Sequence, residues 1–286
     1  DRLGPRGGYD RKRATCREWF QVTAPLTLEE AQALKPVVQP TKGLLRFTFQ
    51  SFLQVILNPF NLGFALAMPT LMYMMFGANQ PYSDFPVGNG NVAASVLVPM
   101  TLFGVMLAAG SFAANVGLER IQGVSRLYAL TPLPASAQLL GRILAILGVC
   151  LVVVLVTFSV GFFTGAAMNP AAWVMSGVTV LVASLVAVAC GFGLGFAVRS
   201  DGAFAAMSAV IVLSAFAAGM AIPLDQLGQF FQDLAPWTPL WGASQLALLP
   251  LVGWDDFTFR MALNFLVWTA AFGALAVWGL RKDTGR

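Results

Sequence analysis

Four charged side chains stand apart in the middle of the chain and are the first candidates for chemistry. Glu119, Arg120, Arg126 and Arg142 are the only charged residues between positions 84 and 199. An acid beside a base can exchange protons with a substrate, or it can form an ion pair at a protein interface. The choice depends on the other reactive groups in the chain and on the element that holds these charges.

The usual catalytic partners of such charges are absent from the sequence. There is no histidine, and the three cysteines are Cys16, Cys150 and Cys190, two of them inside apolar runs. This argues against a disulfide framework, a zinc site and Cys–His catalysis. There is no Gly-x4-Gly-Lys-Ser/Thr phosphate loop, and the glycine-rich stretch 191–196 lies inside an apolar run. We therefore expect no enzymatic activity, and neither a cofactor nor a metal in this chain.

The composition predicts a membrane protein. The 286 residues are 57% hydrophobic and 10% charged, with a mean hydropathy of +0.73. A soluble domain is about a quarter charged, so this chain lacks the polar residues to cover a water-facing surface. The net charge of +4 does not indicate nucleic-acid binding, because the charges gather beside apolar runs rather than along one face.

Six apolar segments reach the length of about 20 residues that a membrane-spanning helix needs. They are 59–77, 92–115, 142–165, 172–198, 203–222 and 260–280. Prolines 59 and 69 make the first the weakest. No acidic or basic side chain lies securely inside a span, which disfavours an ion-driven carrier. We predict an all-α integral membrane fold with six transmembrane helices.

Two pairs of glycines indicate close contacts between these helices. Gly161 and Gly165 lie in the third span, and Gly191 and Gly195 lie in the fourth. Small residues four positions apart let helix backbones approach each other. The sequence leaves open whether these contacts lie within one subunit or between two.

The distribution of lysine and arginine predicts the orientation. Connections 78–91, 166–171 and 223–259 contain neither residue, whereas the termini and the other connections, 116–141 and 199–202, contain one or both. Lysine and arginine favour the cytoplasmic side, so we expect both termini inside. We also expect no cleavable signal, because the basic start is not followed by an apolar core.

The segments that flank the spans differ from the spans in charge and in apolar pattern. Residues 1–42 form a basic cytoplasmic arm ahead of the permease region 43–286, and residues 43–58 suit an amphipathic helix in the membrane interface. The alternative makes 43–58 the start of span one. Segment 223–259 is apolar but broken by prolines, so we expect short re-entrant helices on the extracellular side.

Spans two and five carry side chains that suit a substrate path. Methionine and aromatic groups form adaptable walls for varied apolar compounds. The candidates are Met100, Phe103, Met106, Phe112, Asn115, Met207 and Phe216. For each residue the alternative is ordinary packing or contact with lipid.

The segment that holds Glu119, Arg120 and Arg126 has helical spacing and ends in a proline stop at Pro132 and Pro134. Its sequence GLERIQGVSRLYALTPLPASAQLLGRIL resembles the signature of type-2 ATP-binding-cassette permeases of the drug-exporter group. The matching positions are Glu119, Arg120, Gly123, Leu127, Leu130, Thr131-Pro132-Leu133 and Gly141-Arg142. The resemblance extends over about 43–284. It leaves the arm without a counterpart and departs from the pattern at Ile121 and Ser125.

The resemblance implies a coupling helix over about 117–131 that docks on a separate ATPase. Glu119 and Arg120 would make polar contacts near that interface, and Gly123 belongs to the same motif. Leu127 and Leu130 would fill a groove of the ATPase, and Thr131-Pro132 would fix the turn into span three. Arg126 and Arg142 would face the inner headgroups.

The function that this resemblance implies is ATP-driven export. The chain would form the path for hydrophobic or amphiphilic compounds, such as a drug, a secondary metabolite or a lipid, in a bacterial-type plasma membrane. Its partners would be two ABC ATPase subunits, which hold ATP and Mg, and a second permease subunit in a homodimer or heterodimer. The alternatives are an ion-gradient-driven carrier, a sensor or assembly protein, and a lipid or polysaccharide exporter.

Overall fold

The structure, a computed structural model, describes residues 40–57, 59–124, 133–198, 202–220 and 224–284. Most of these residues lie in nine helices of more than one turn. In chain order they are α1 Pro40–Ile56, α2 Pro59–Phe76, α3 Val92–Ile121, α4 Ala135–Phe163, α5 Pro170–Ala197, α6 Gly202–Ala217, α7 Gln229–Leu234, α8 Trp241–Val252 and α9 Phe259–Thr284. Single 3-10 turns at 224–226, 235–237 and 254–256 complete the segment before α9.

Four of the described helices are long and apolar enough to cross a membrane. The spanning stretches are Val92–Glu119, Ser136–Phe163, Pro170–Ala197 and Phe259–Lys282. The other apolar helices are shorter, at Leu62–Phe76, Gly202–Ala217 and Trp241–Val252. The chain is therefore a mostly helical, multi-pass membrane protein, and the six-span arrangement stays a prediction.

The fifth predicted span ends earlier than its apolar run, which continues to residue 222. Helix α6 stops at Ala217 because Gly219 adopts a left-handed backbone with φ of 76°. The N–H of Met220 then donates to the carbonyl of Ala215 at 3.0 Å, and that of Gly219 donates to Phe216 at 3.1 Å. This pair of bonds is the Schellman termination of a helix.

Helix α3 is central, since it packs against α2, α4, α5, α6 and α8. Its contact with α5 is made through glycine. A Cβ atom on Gly117 would collide with the carbonyl of Gly195, and one on Gly191 would collide with the carbonyl of Gly110. The pair Gly191 and Gly195 therefore packs within one subunit.

The other predicted glycine pair divides between two roles. Gly161 packs α4 closely against Leu97 of α3, where a Cβ would lie 2.9 Å from Cδ1 of that leucine. Gly165 lies beyond the end of α4, with φ of 99° and no neighbour within 4 Å of a Cβ. It serves the turn into α5, so the expectation of a helix contact at this position was wrong.

A short β-hairpin that the sequence did not predict joins three connections at one end of the molecule. Strands β1 Pro86–Val87 and β2 Gly90–Asn91 pair antiparallel. The side chain of Asn91 donates to the carbonyl of Gly165 at 2.8 Å and accepts from the N–H groups of Ala94 and Ala167 at 3.0 Å each. One asparagine therefore ties the hairpin to the start of α3 and to the α4–α5 turn.

The 12-residue helix α8 is held at both ends by asparagines. Asn264 of α9 accepts from the N–H of Gly242 at 3.0 Å and donates to the carbonyls of Pro236 and Thr238 at 2.8 and 3.2 Å. At the other end, the side chain of Asn89 donates to the carbonyl of Pro250 at 3.1 Å. The backbone N–H of Asn89 donates to the carbonyl of Leu251 at 2.7 Å. These bonds satisfy backbone groups that lipid cannot.

We predict that Gly191→Ala destabilises the permease, because its new Cβ meets the Gly110 carbonyl and the Cβ of Ala113 at 2.6 Å. Overpacking of this kind costs about 1–3 kcal/mol. The control is Gly273→Ala in α9, whose Cβ would have no neighbour within 4 Å. Thermal unfolding in detergent should show a lower midpoint for Gly191→Ala alone. Equal midpoints for the two variants would contradict the glycine contact.

Candidate functional site

Helices α2, α3 and α6 enclose an apolar cavity of about 470 Å³. Each helix contributes side chains at helical spacing. Those of α2 and α3 include Phe64, Met68, Met72, Met100, Phe103 and Leu107. Those of α6 include Phe204, Ser208, Val212 and Phe216. The lining of the cavity has few polar groups, and its side chains are mostly flexible or aromatic. The cavity can therefore accept apolar groups of varied shape.

The seven predicted path residues fall into three places. Met100, Phe103 and Phe216 line the apolar cavity. Phe112 and Asn115 line a second cavity, described below. Met106 and Met207 are fully buried. Met207 packs α6 against α3, since a Cβ on Gly110 would lie 2.6 Å from its sulfur. A role in transport stays a prediction for each of these residues.

The sequence analysis missed the wall that α2 supplies to the apolar cavity. Phe64, Met68 and Met72 recur every fourth residue and so share one face of α2. Pro69 interrupts the apolar pattern of this helix and obscures that spacing. A search for methionine and phenylalanine at four-residue intervals in every apolar helix would have found the wall.

A second, polar cavity of about 370 Å³ lies among α1, α3 and α4. Polar side chains from α1, from α3 and from the residue after α3 border it, namely Ser51, Gln54, Asn115 and Gln122. Two charged groups complete its wall. Nη2 of Arg142 lies 2.5 Å from Oε2 of Glu119, and the two side chains are 11% and 31% exposed. Glu119 and Arg142 therefore form an ion pair on the wall of this cavity.

The ion pair adds a contact that the sequence did not predict. The guanidinium of Arg142 binds Glu119 and lies 5.8 Å from the centre of the Phe47 ring, and its predicted orientation toward the inner headgroups stays a prediction. The acid and its base come from consecutive helices that run in opposite directions. No local sequence rule connects residues that are 23 positions apart.

The predicted coupling residues lie at or beyond the end of α3. Glu119 and Arg120 belong to α3 itself, which runs to Ile121, six residues past the predicted end of the span at 115. Gly123 follows with φ of 79°, a conformation that favours glycine after a helix. The remaining predicted residues, Leu127, Leu130, Thr131 and Pro132, and also Arg126, lie outside the described residues. The docking role of the whole group stays a prediction.

The amino-acid sequence matches a known family over most of its length. The family model described as "ABC-2 family transporter protein" matches residues 48–280, from α1 to α9. The chain belongs to the ABC-2 transporter family. This permease is also similar to a protein of Bacillus subtilis (strain 168) named "Putative transport permease YvfS". The two are 28% identical over 194 residues, which are 65% of this chain and 76% of the relative.

Family membership confirms the resemblance to type-2 ATP-binding-cassette permeases. The permease is therefore the membrane-embedded subunit of an ABC transporter, and its part in transport is not catalytic. Membership also implies association with ABC ATPase subunits.

We predict that Glu119→Gln and Arg142→Gln each lower the free energy of unfolding by about 1.5–3 kcal/mol, because each leaves one charged partner in a half-buried site. The double variant should lose less free energy of unfolding than the sum of the two single losses. A double-mutant cycle on thermal unfolding measures the difference. The control is Arg260→Gln, an exposed arginine 6.0 Å from the rings of Trp237 and Trp241. Additive losses would contradict the ion pair.

Proposed function

We propose that this permease forms the path of an ATP-driven exporter for hydrophobic or amphiphilic compounds. The observation that carries the proposal is the apolar cavity, whose walls are rich in methionine and phenylalanine. Membership of a transporter family supports the same conclusion. Phe64, Phe204 and Phe216 are 57%, 44% and 49% exposed, so the cavity is open on one side. A compound dissolved in a lipid leaflet can enter through such an opening without crossing water.

In the proposed assembly two ATPase subunits and a second permease subunit complete the exporter. The second permease would face the open side of the apolar cavity, in a homodimer or heterodimer. ATP and Mg would bind the ATPase chains alone. Both termini of the permease would be cytoplasmic, since lysine and arginine are absent from the three connections predicted to face outward.

The proposed energy transfer enters the permease at the Glu119 end of α3. ATP binding would move the segment around 117–131 and, with it, the end of α3. Helix α3 is a continuous 30-residue helix that carries Glu119 near one end and the cavity residues Met100 and Phe103 toward the other. A rigid shift of this helix would change the apolar cavity as the exporter switches between two states.

We predict that Phe103→Ala and Phe216→Ala weaken stimulation of ATP hydrolysis by transported compounds in the purified complex. Loss of one phenylalanine contact that the bound compound would bury, worth about 1.5–3 kcal/mol, should raise the concentration of compound that gives half-maximal stimulation by about tenfold or more. The matched control is Leu213→Ala, on the same helix as Phe216 but 69% exposed and outside the cavity lining. An unchanged response in both phenylalanine variants would contradict the path. A stable preparation that contains no ATPase would contradict the exporter itself.

We predict that Glu119→Ala or Arg120→Ala reduces substrate-stimulated ATP turnover, because the variants remove polar contacts at the proposed docking end. Membrane insertion should be unaffected and is checked by the amount of permease in membranes. The ATP turnover is compared per folded complex, because Glu119→Ala also breaks the ion pair with Arg142. Full coupling in the double variant would remove both residues from the mechanism.

Transport that continues with an inactive ATPase and stops when an ion gradient collapses would favour a secondary carrier.

A further inference from the structure

The polar cavity has a chemistry that the proposed export path does not use. Its neutral polar lining comes from Ser51 and Gln54 of α1, from Asn115 of α3 and from Gln122 just after α3. The remaining lining includes apolar side chains, among them Val55, Phe112 and Ile146. One cavity therefore offers polar groups and charges beside apolar groups, as a molecule with a polar head and an apolar body requires.

The charges on the cavity wall select the kind of polar head. Among the described side chains of the lining, Glu119 supplies one negative charge and Arg142 supplies one positive charge. A ligand of a single sign would be attracted by one group and repelled by the other. A ligand that carries both signs can place its anion against the guanidinium and its cation against the carboxylate. The wall thus favours a zwitterion.

Helix α1 places this cavity at the boundary of the apolar layer. Its surface carries an exposed apolar stripe at four-residue spacing, formed by Leu45, Phe49 and Leu53 and continued by Leu57 in the next turn. Beside it runs an exposed polar stripe, formed by Arg46, Gln50 and Gln54. Exposed apolar and polar stripes on one helix are typical of a helix that lies in a membrane interface.

The two stripes also identify the source of the ligand. Gln54 belongs to both the polar stripe and the cavity lining, so the cavity opens at the depth of the lipid headgroups. The other side of α1 is anchored on α4, where a Cβ on Gly141 would lie 2.8 Å from the Phe47 ring and one on Gly148 would lie 3.2 Å from the Phe52 ring. A membrane lipid therefore reaches the cavity more readily than a solute does.

We propose that the polar cavity binds the headgroup of a phospholipid with an ethanolamine head. The phosphate lies against Arg142, and the primary ammonium group donates hydrogen bonds to Glu119. The apolar side chains at Phe112 and Ile146 contact the start of the lipid tails. A choline head is bulkier and has no N–H donor, and a glycerol head has no cation for Glu119. The proposal requires that the permease lies in a membrane, and it does not depend on which compound is exported.

The test is native mass spectrometry of the purified permease with ethanolamine, choline and glycerol phospholipids that have identical tails. We expect the ethanolamine lipid to be retained about tenfold more than either of the others, as the loss of one charge-assisted hydrogen bond would require. Equal retention of the three lipids, or a preference for the anionic glycerol lipid, would overturn the proposal. This comparison needs only the wild-type permease, so it does not depend on how a variant folds.

Variants of the lining residues test whether the preference for the ethanolamine lipid arises in the polar cavity. Glu119→Gln and Arg142→Gln should each abolish it, and Gln54→Leu, which leaves the ion pair in place, should reduce it. The matched controls are Asp255→Asn and Arg260→Gln, two exposed charges that do not line either cavity. Loss of the preference in the controls, or its survival in the first three variants, would overturn the assignment.

A soluble competitor separates the two sources of the same headgroup. Glycerophosphoethanolamine carries the phosphate and the ammonium without tails, and we expect it not to displace the lipid at equal concentration. Displacement at that concentration would overturn a lipid site in favour of a soluble ligand. No ATPase takes part in these measurements. Failure of the exporter proposal would therefore leave the lipid result intact, and the reverse also holds.

Discussion

Direct contact between the backbones of α3 and α5 fixes the central helix on which both cavities depend. The lipid-soluble surface of a membrane helix gains little from burial against another apolar surface, so close packing must supply the association. Gly110 and Gly117 of α3 meet Gly191 and Gly195 of α5 without intervening side chains. The same α3 borders the apolar cavity through Phe103 and the polar cavity through Asn115. A change in how α3 lies on α5 would therefore alter both cavities together.

A second constraint acts at the end of the molecule formed by the hairpin. The segment before α9 is apolar but contains four prolines, so its backbone groups need partners from elsewhere. Asn264 supplies them at the start of α8, and Asn89 supplies them at its end. Helix α8 is 12 residues long, about 18 Å, and spans only part of an apolar layer of about 30 Å. Its two clamps connect it to α9 and, through the hairpin, to α3.

The sequence predicted the helices better than it predicted the side chains that hold them together. Apolar length located the four helices of spanning length, because lipid requires a continuous apolar run. It overestimated α6, because Gly219 ends that helix while the apolar run continues. The pairing of Glu119 with Arg142 and the two clamps of α8 were missed, since they join residues far apart in sequence and leave no periodic signal. Of the predicted path residues, Phe103 lines the apolar cavity whereas Met106 is buried on another face of the same helix.

The proposal that the apolar cavity belongs to an ATP-driven path can be tested most directly by accessibility at Ser208, a small residue of its lining. The variant is Ser208→Cys in a chain with Cys16→Ser, and the complex is placed in inside-out vesicles with a membrane-impermeant thiol reagent. Cys150 and Cys190 are buried and give little background. The account predicts rapid labelling without nucleotide and strong protection when ATP is held at an ATPase that cannot hydrolyse it. Labelling that is the same with and without ATP would contradict the account.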